Sequence, residues 1–198
     1  MNKKKTIITA AIILLIVAVM LVGGIFAYFT STPAALTNTF TIGNVTITLT
    51  EPTWVAANGQ NLTPGDNVLK DPTITNTGAN EAYVFMKVEM PYYNSEDLFT
   101  MNTIDIAAWN LVSETTSGAV HTYVYAYADG TGVDDLVALD PTDTATLFTS
   151  VTMSTDNTTV EAASGNTLNI VVTGYAIQTN IDTTSLTTQA AVYGQFTN

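Results

Sequence analysis

The sequence predicts an all-β fold: an antiparallel β-sandwich of jelly-roll type with one or two short helices, preceded by an N-terminal apolar helix. Three observations carry this. Apolar and polar residues alternate with period two in several runs. Those runs are rich in β-branched residues and tyrosine, and turn chemistry built on Gly, Pro and Asn separates them. Roughly seven to nine such runs in about 170 residues, with few helical patterns, match a sandwich rather than an alternating α/β order.

The N-terminal helix comes first. Lys3, Lys4 and Lys5 precede an apolar run over residues 7–22, and Gly23-Gly24 ends it. A basic start, an apolar centre and a small-residue exit make an export signal. The run is also long enough to cross a bilayer, roughly 20 residues. Residues 1–28 therefore read as a signal peptide cut in the region of Ala27, Tyr28 and Phe29, or as a retained anchor with its lysines inside. Residues 29–39 form an N-terminal arm, and residues 40–198 form one sandwich domain.

Val45, Ile47 and Leu49 alternate with Thr46, Thr48 and Thr50, the pattern of a half-buried strand. Phe40 and Ile42 alternate in the opposite phase, and a bulge or bend at Gly43-Asn44 would reset it. Residues 83–90 are apolar on both faces except at Lys87 and Glu89, which predicts a central strand. Residues 121–128 place Tyr123, Tyr125 and Tyr127 on one face and Val124 and Ala126 on the other. Residues 144–153 and 168–178 are further strands, and 72–76 and 109–112 are weaker ones. Thr63-Pro64-Gly65-Asp66 predicts a type II turn. Turns are also expected at Asn76-Thr77-Gly78, over 129–132 and over 164–166. Helical patterns fall on 95–108 and 183–193, the second with Asp182 as its cap.

Charge bounds the partners. Of five basic residues, three are in the leader. The remainder has two lysines against 17 acidic residues, a net charge of −15, and no arginine. Such a surface repels phosphate backbones, which excludes nucleic acid, and it disfavours anionic lipid. Membrane contact is expected only through the leader. There is no cysteine, so the domain must be held by its own core. The compartment that the leader implies is extracellular, and the acidic composition agrees with it.

Several segments resemble one family. The leader end Gly23-Gly24-Ile25-Phe26-Ala27-Tyr28-Phe29-Thr30 is similar to the signals cut by a SipW-type signal peptidase. Residues 38–49, the stretch Leu62-Thr63-Pro64-Gly65-Asp66, then Asn76-Thr77-Gly78 with Ala82-Tyr83-Val84, and finally Gly174-Tyr175-Ala176-Ile177-Gln178 resemble, in that order, landmarks of the TasA and camelysin-like secreted proteins. The resemblance implies a jelly-roll protein of the Gram-positive cell surface or biofilm matrix that can form fibres. It also implies export through the SipW-type peptidase.

The residues support fibre assembly in their own right. Cleavage in the expected region leaves an uncharged arm, apolar at Phe29 and Leu36. An open sandwich has sheet edges that need partners. An arm donated by one copy would complete the next, giving a head-to-tail homopolymer. Pro33 lacks a backbone donor and shortens the strand that the arm could add. The alternative is an arm without a fixed structure.

Little in the chain points to catalysis. The camelysin branch is classed as metallopeptidase, yet His121 is the chain's one histidine and no His-Glu-x-x-His pair exists. Strand-end placement facing water is expected for His121. No Gly-x-Ser-x-Gly elbow and no phosphate-binding loop is present. Asp129, Asp134 and Asp135 cluster with glycines and are a weak calcium candidate, without the spacing of an EF-hand. Lys87 is expected to pair with Glu89 rather than to form an isopeptide crosslink. The tyrosine face could stack on carbohydrate, but sheet packing is the simpler reading. No cofactor is expected. A structural fibre subunit leads, followed by a monomeric secreted adhesion or binding module and then by a camelysin-like metalloendopeptidase.

Overall fold

The structure, a computed structural model, describes residues 12–16, 44–128, 135–180 and 186–197. The chain divides into two compact units, residues 1–41 and 42–198. In the first, residues 12–16 are helical and their apolar side chains are exposed. The cleavage region Ala27, Tyr28 and Phe29, the arm residue Leu36, and Phe40, Ile42 and Gly43 of the expected phase change lie outside the described residues. No helix among the described residues is long and apolar enough to cross a membrane.

The second unit is an antiparallel β-sandwich. Its strands are β1 (Ile47–Thr50), β2 (Asn67–Leu69), β3 (Thr73–Asn76), β4 (Ala82–Tyr93), β5 (Glu96–Asp97), β6 (Phe99–Asn102), β7 (Trp109–Ser117), β8 (Val120–Tyr127), β9 (Thr144–Thr146), β10 (Ser150–Met153) and β11 (Val171–Gln178). One layer has the order β11-β4-β8-β7. The other is built from β1-β3-β9 and β2-β10-β6. These two short sheets continue one another. The Lys70 N–H donates to the Thr149 carbonyl (3.2 Å) and the Leu147 N–H to the Pro72 carbonyl (3.0 Å). The join falls beside Pro72, which has no N–H to give the ladder.

Alternation builds the core. Val84, Met86, Val88 and Met90 point from β4 into one apolar cluster with Trp109 and Tyr125. Val68, Ile74, Phe99, Ala145, Val151 and Met153 of the other layer meet them there. The Trp109 indole N–H donates across the sandwich to the Thr146 carbonyl (3.0 Å). Phe85 and Ala126 point the opposite way, under Val192, Tyr193 and Phe196. Phe85 lies 5.7 Å from Tyr193 and 5.9 Å from Phe196 between ring centroids. A fully buried side chain of this size contributes about 1.5–3 kcal/mol. β4 is thus apolar on both faces and bonded on both sides, as its sequence predicts.

The expected turns over 62–66 and 76–78 form. Gly65 has φ +89°, and the Asp66 N–H donates to the Thr63 carbonyl (3.0 Å), a type II arrangement. Gly78 allows close approach, since a Cβ there would lie 2.7 Å from the Asn44 carbonyl oxygen.

Other expectations need correction. Residues 95–108 are not helical. Asn94 and Ser95 both have positive φ (50° and 65°) and close a two-residue hairpin in which Tyr93 faces Glu96. The chain then enters β5 and β6. The stretch 144–153 is two strands, broken where Leu147 and Phe148 turn wholly into the core. β2 and β6 had no clear signal. An unforeseen helix, α1 (Asn157–Ala163), is capped by Asp156, whose carboxylate accepts the Thr159 N–H at 2.9 Å. The Thr158 hydroxyl and then the Thr159 N–H hold that carboxyl below its usual range. The last helix, α2 (Gln189–Tyr193), is capped by Thr188, whose hydroxyl accepts the Ala191 N–H. Asp182, the expected cap, lies outside the described residues.

Candidate functional site

The polar cluster of greatest chemical interest is at one end of the sandwich. Alternation along β8 puts His121, Tyr123 and Tyr125 on the inward face, because Tyr125 is opposite Met86 and His121 opposite Met90. The hairpin after β4 brings Asp97 to the same end. A register shift in β7 between Leu111 and Ser113 places Glu114 opposite Tyr123. That bulge re-aims the following side chains.

His121 is 9 % exposed. The expectation that it faces water is wrong. At 121 the strand still has the crossover segment β5 packed over it, so the side chain is covered. Its Nδ1 lies 2.9 Å from Asp97 Oδ1, and its Nε2 lies 3.0 Å from Glu114 Oε1. The Tyr123 hydroxyl donates to Asp97 Oδ2 at 2.5 Å and sits 3.0 Å from His121 Nδ1. Tyr92 packs edge-on against the imidazole at 5.1 Å. Burial pushes the Tyr123 phenol far above its usual range, and the bond to Asp97 adds to this. Burial likewise raises Tyr125, to about 12. Both phenols are therefore neutral donors at ordinary pH.

The result is a line: Glu114, imidazole, Asp97, phenol. Each ring nitrogen of His121 thus faces one carboxylate, and the imidazole bridges Asp97 and Glu114. The line joins β5, β7 and β8.

Zinc binding asks for the opposite arrangement, with several donors converging on one point and a free imidazole lone pair. Here the carboxylates occupy opposite sides of the ring and both nitrogens are engaged. Among the described residues no group of three His, Cys, Asp or Glu side chains could hold a metal ion. The residues present do not fit a His-ligated metal.

The remaining candidates are dispersed. Asp129 and Asp134 lie outside the described residues, and Asp135 accepts the Gln189 amide through its carbonyl at 2.7 Å. Lys87 pairs with Glu89 at 3.3 Å, as expected from their shared face. The tyrosine face packs inward, with Trp109 against Tyr127 at 5.7 Å and Tyr123 against Tyr125 at 6.3 Å, and is not open to a sugar. Sequence reasoning missed Asp97, Glu114 and Tyr123 as partners of His121. The odd-numbered phase that puts His121 in line with the tyrosines was the available signal.

Comparison with known proteins supplies one match. The model of the family described as camelysin metallo-endopeptidase matches residues 2–170. No curated protein matches the chain. The matched region ends at the residue before β11 and covers most of the chain, and the chain belongs to this camelysin family.

Proposed function

We propose, from that membership, that the chain is a secreted structural subunit of the cell surface or biofilm matrix. It polymerises head to tail by donating its N-terminal arm to the next copy, after export and processing by a SipW-type signal peptidase. The observation that supports this best is the open sandwich. Among the described residues, β7 and β11 each bond a single neighbour, so the longer layer ends in two unfilled edges. Such edges take an added strand. The arm over residues 29–38 carries no charged side chain and has apolar anchors at Phe29 and Leu36. The net charge of −15 opposes association, so assembly should strengthen as salt screens it.

No peptidase step is assigned to this chain, because the imidazole that a zinc enzyme would use is committed on both nitrogens. A second reading, a secreted binding module, rests on the groove beside Trp54.

Electron microscopy and sedimentation of the processed protein test the assembly. The parent should form filaments more readily at high salt. Deletion of residues 29–38, or Leu36→Asp, should leave a folded monomer. Filaments of normal width from the deletion variant would place the contact elsewhere on the sandwich.

A further inference from the structure

The chain has two tryptophans, and they are treated differently. Trp109 is 2 % exposed and its indole N–H is bonded to the Thr146 carbonyl. Trp54 is 37 % exposed, and among the described residues no hydrogen bond engages its N–H. An indole in a finished packing site usually has a partner for that group.

Trp54 lines a groove of about 290 Å³ together with Leu62, Lys70, Phe99, Asn169 and Ile170. That volume is near the lower end of small-molecule sites, about 300–1,000 Å³. The ring is held in place. A Cβ at Gly59 would lie 2.7 Å from its Cη2 atom, so only glycine lets the 3-10 turn Ala56–Gly59 close against it. The Lys70 ammonium is 5.3 Å from the ring centroid. Lys70 is 7 % exposed, and Glu51 holds its Nζ at 2.5 Å. An ammonium has three donors, and the bond to Glu51 uses one. Asn169, also on the lining, is exposed, and its side-chain amide has no hydrogen-bond partner among the described residues.

The groove therefore combines a fixed aromatic face, spare charged donors and an amide that both donates and accepts. A charged anion gains little here, because Glu51 already neutralises Lys70 and the whole domain is strongly acidic. A purely apolar ligand would cover the Asn169 amide and the indole N–H without giving them partners, and would offer nothing to the remaining donors of the ammonium. A neutral sugar fits all three features. Its C–H face packs on an indole, and its hydroxyls pair with donors and acceptors together.

We propose that the Trp54–Lys70–Asn169 groove is a binding site for neutral carbohydrate. Trp54 supplies the stacking face, Lys70 and Asn169 bind hydroxyls, and Glu51 positions Lys70. The site stands whether or not the chain polymerises.

Isothermal titration calorimetry on the full chain tests this, with a panel of neutral glucan, mannan and N-acetylglucosamine oligosaccharides as probes. At least one class should bind saturably. Trp54→Ala should weaken it by about tenfold or more, a change of roughly 1.4 kcal/mol. Trp54→Phe should retain most binding, and the exposed Asn169→Ala should weaken it several-fold. Emission from buried Trp109 reports that each Trp54 variant is folded. Failure of the whole panel to bind at millimolar concentration overturns the site, as does binding that Trp54→Ala and Asn169→Ala both leave unchanged. Uptake of the apolar probe N-phenylnaphthylamine at Trp54 without any sugar binding would assign the groove to apolar ligands and also overturn it.

Discussion

Asn76 is the most informative position to perturb. Its side chain is fully buried and fully bonded. Nδ2 donates to the carbonyls of Asn80 and Leu139, each at 2.9 Å, and Oδ1 accepts the Gly78 N–H at 3.0 Å. One amide thus ties the end of β3 to the turn that follows it and to the bridge between Ala82 and Leu139. Each such bond contributes about 1 kcal/mol net, and an orphaned buried partner costs about 1–3 kcal/mol. Asn76→Ala should therefore cost about 3 kcal/mol, a large share of the roughly 5–15 kcal/mol typical of a domain. Asn76→Asp separates polarity from volume. The residue is the same size, but its carboxylate has no donor and would face two carbonyl oxygens. It should cost more than alanine, through a buried and unpaired charge. Urea unfolding followed by circular dichroism gives both values. The reasoning fails if aspartate is tolerated as well as alanine, or if alanine costs less than about 1 kcal/mol.

Other perturbations follow from the same geometry. His121→Ala removes the imidazole that bridges Asp97 and Glu114 and should destabilise the domain by about 2 kcal/mol, since bonds to charged groups contribute about 1.5–3 kcal/mol each and Glu114 is half exposed; an unchanged urea midpoint refutes that bridging role. Addition of zinc should leave the imidazole resonances of His121 unmoved, and a stoichiometric zinc-dependent shift would show that a metal displaces the carboxylates. Phe85→Ala should cost about 3–5 kcal/mol by emptying the site under Tyr193 and Phe196, and a loss below about 1 kcal/mol would mean that the C-terminal helix does not cover that face. In alkali the Tyr125 phenol titrates near 12 in the fold, against about 10 in the unfolded chain. A raised folded value means that stability is full below about pH 10 and is lost as pH rises towards 12; denaturation midpoints measured across that window should fall, and a rising midpoint refutes the burial of Tyr125.

The strands that were legible are those whose side chains decide their own burial. Val45, Ile47 and Leu49 alternate because one face of β1 is wet, and residues 83–90 lack alternation because both faces of β4 are covered. The strands that were missed depend on partners instead. β2 holds Val68 as its buried residue between exposed neighbours, and only pairing with β10 makes it a strand. β6 follows a hairpin closed by Asn94 and Ser95, where two left-handed residues without glycine carry a weak turn signal. The error over His121 has the same origin. Its alternation with Tyr123 and Tyr125 was visible, but the segment that covers it comes from β5, which sequence had assigned to a helix. Asp97 and Glu114 could not be placed beside it until the hairpin and the β7 bulge were known. Trp54 and Lys70 likewise meet only through the fold.

The pairing of the outer strands has a consequence for the order in which the domain can form. β11 lies against β4, with Gln178 opposite Ala82, and β3 lies against β9, with Thr73 opposite Thr146. Each pair closes a loop containing much of the chain. Loop closure costs entropy before the contacts compensate for it, so folds dominated by such pairs are slow, on the scale of roughly milliseconds to seconds. Only the hairpins β4-β5 and β7-β8 are local enough to form early. A chain emerging N-terminus first must therefore hold β2 and most of β4 without their ladder partners until β8, β10 and β11 arrive. During that interval the apolar faces of β4 are exposed to other copies. The sparse positive charge and abundant acids keep such chains apart while they wait.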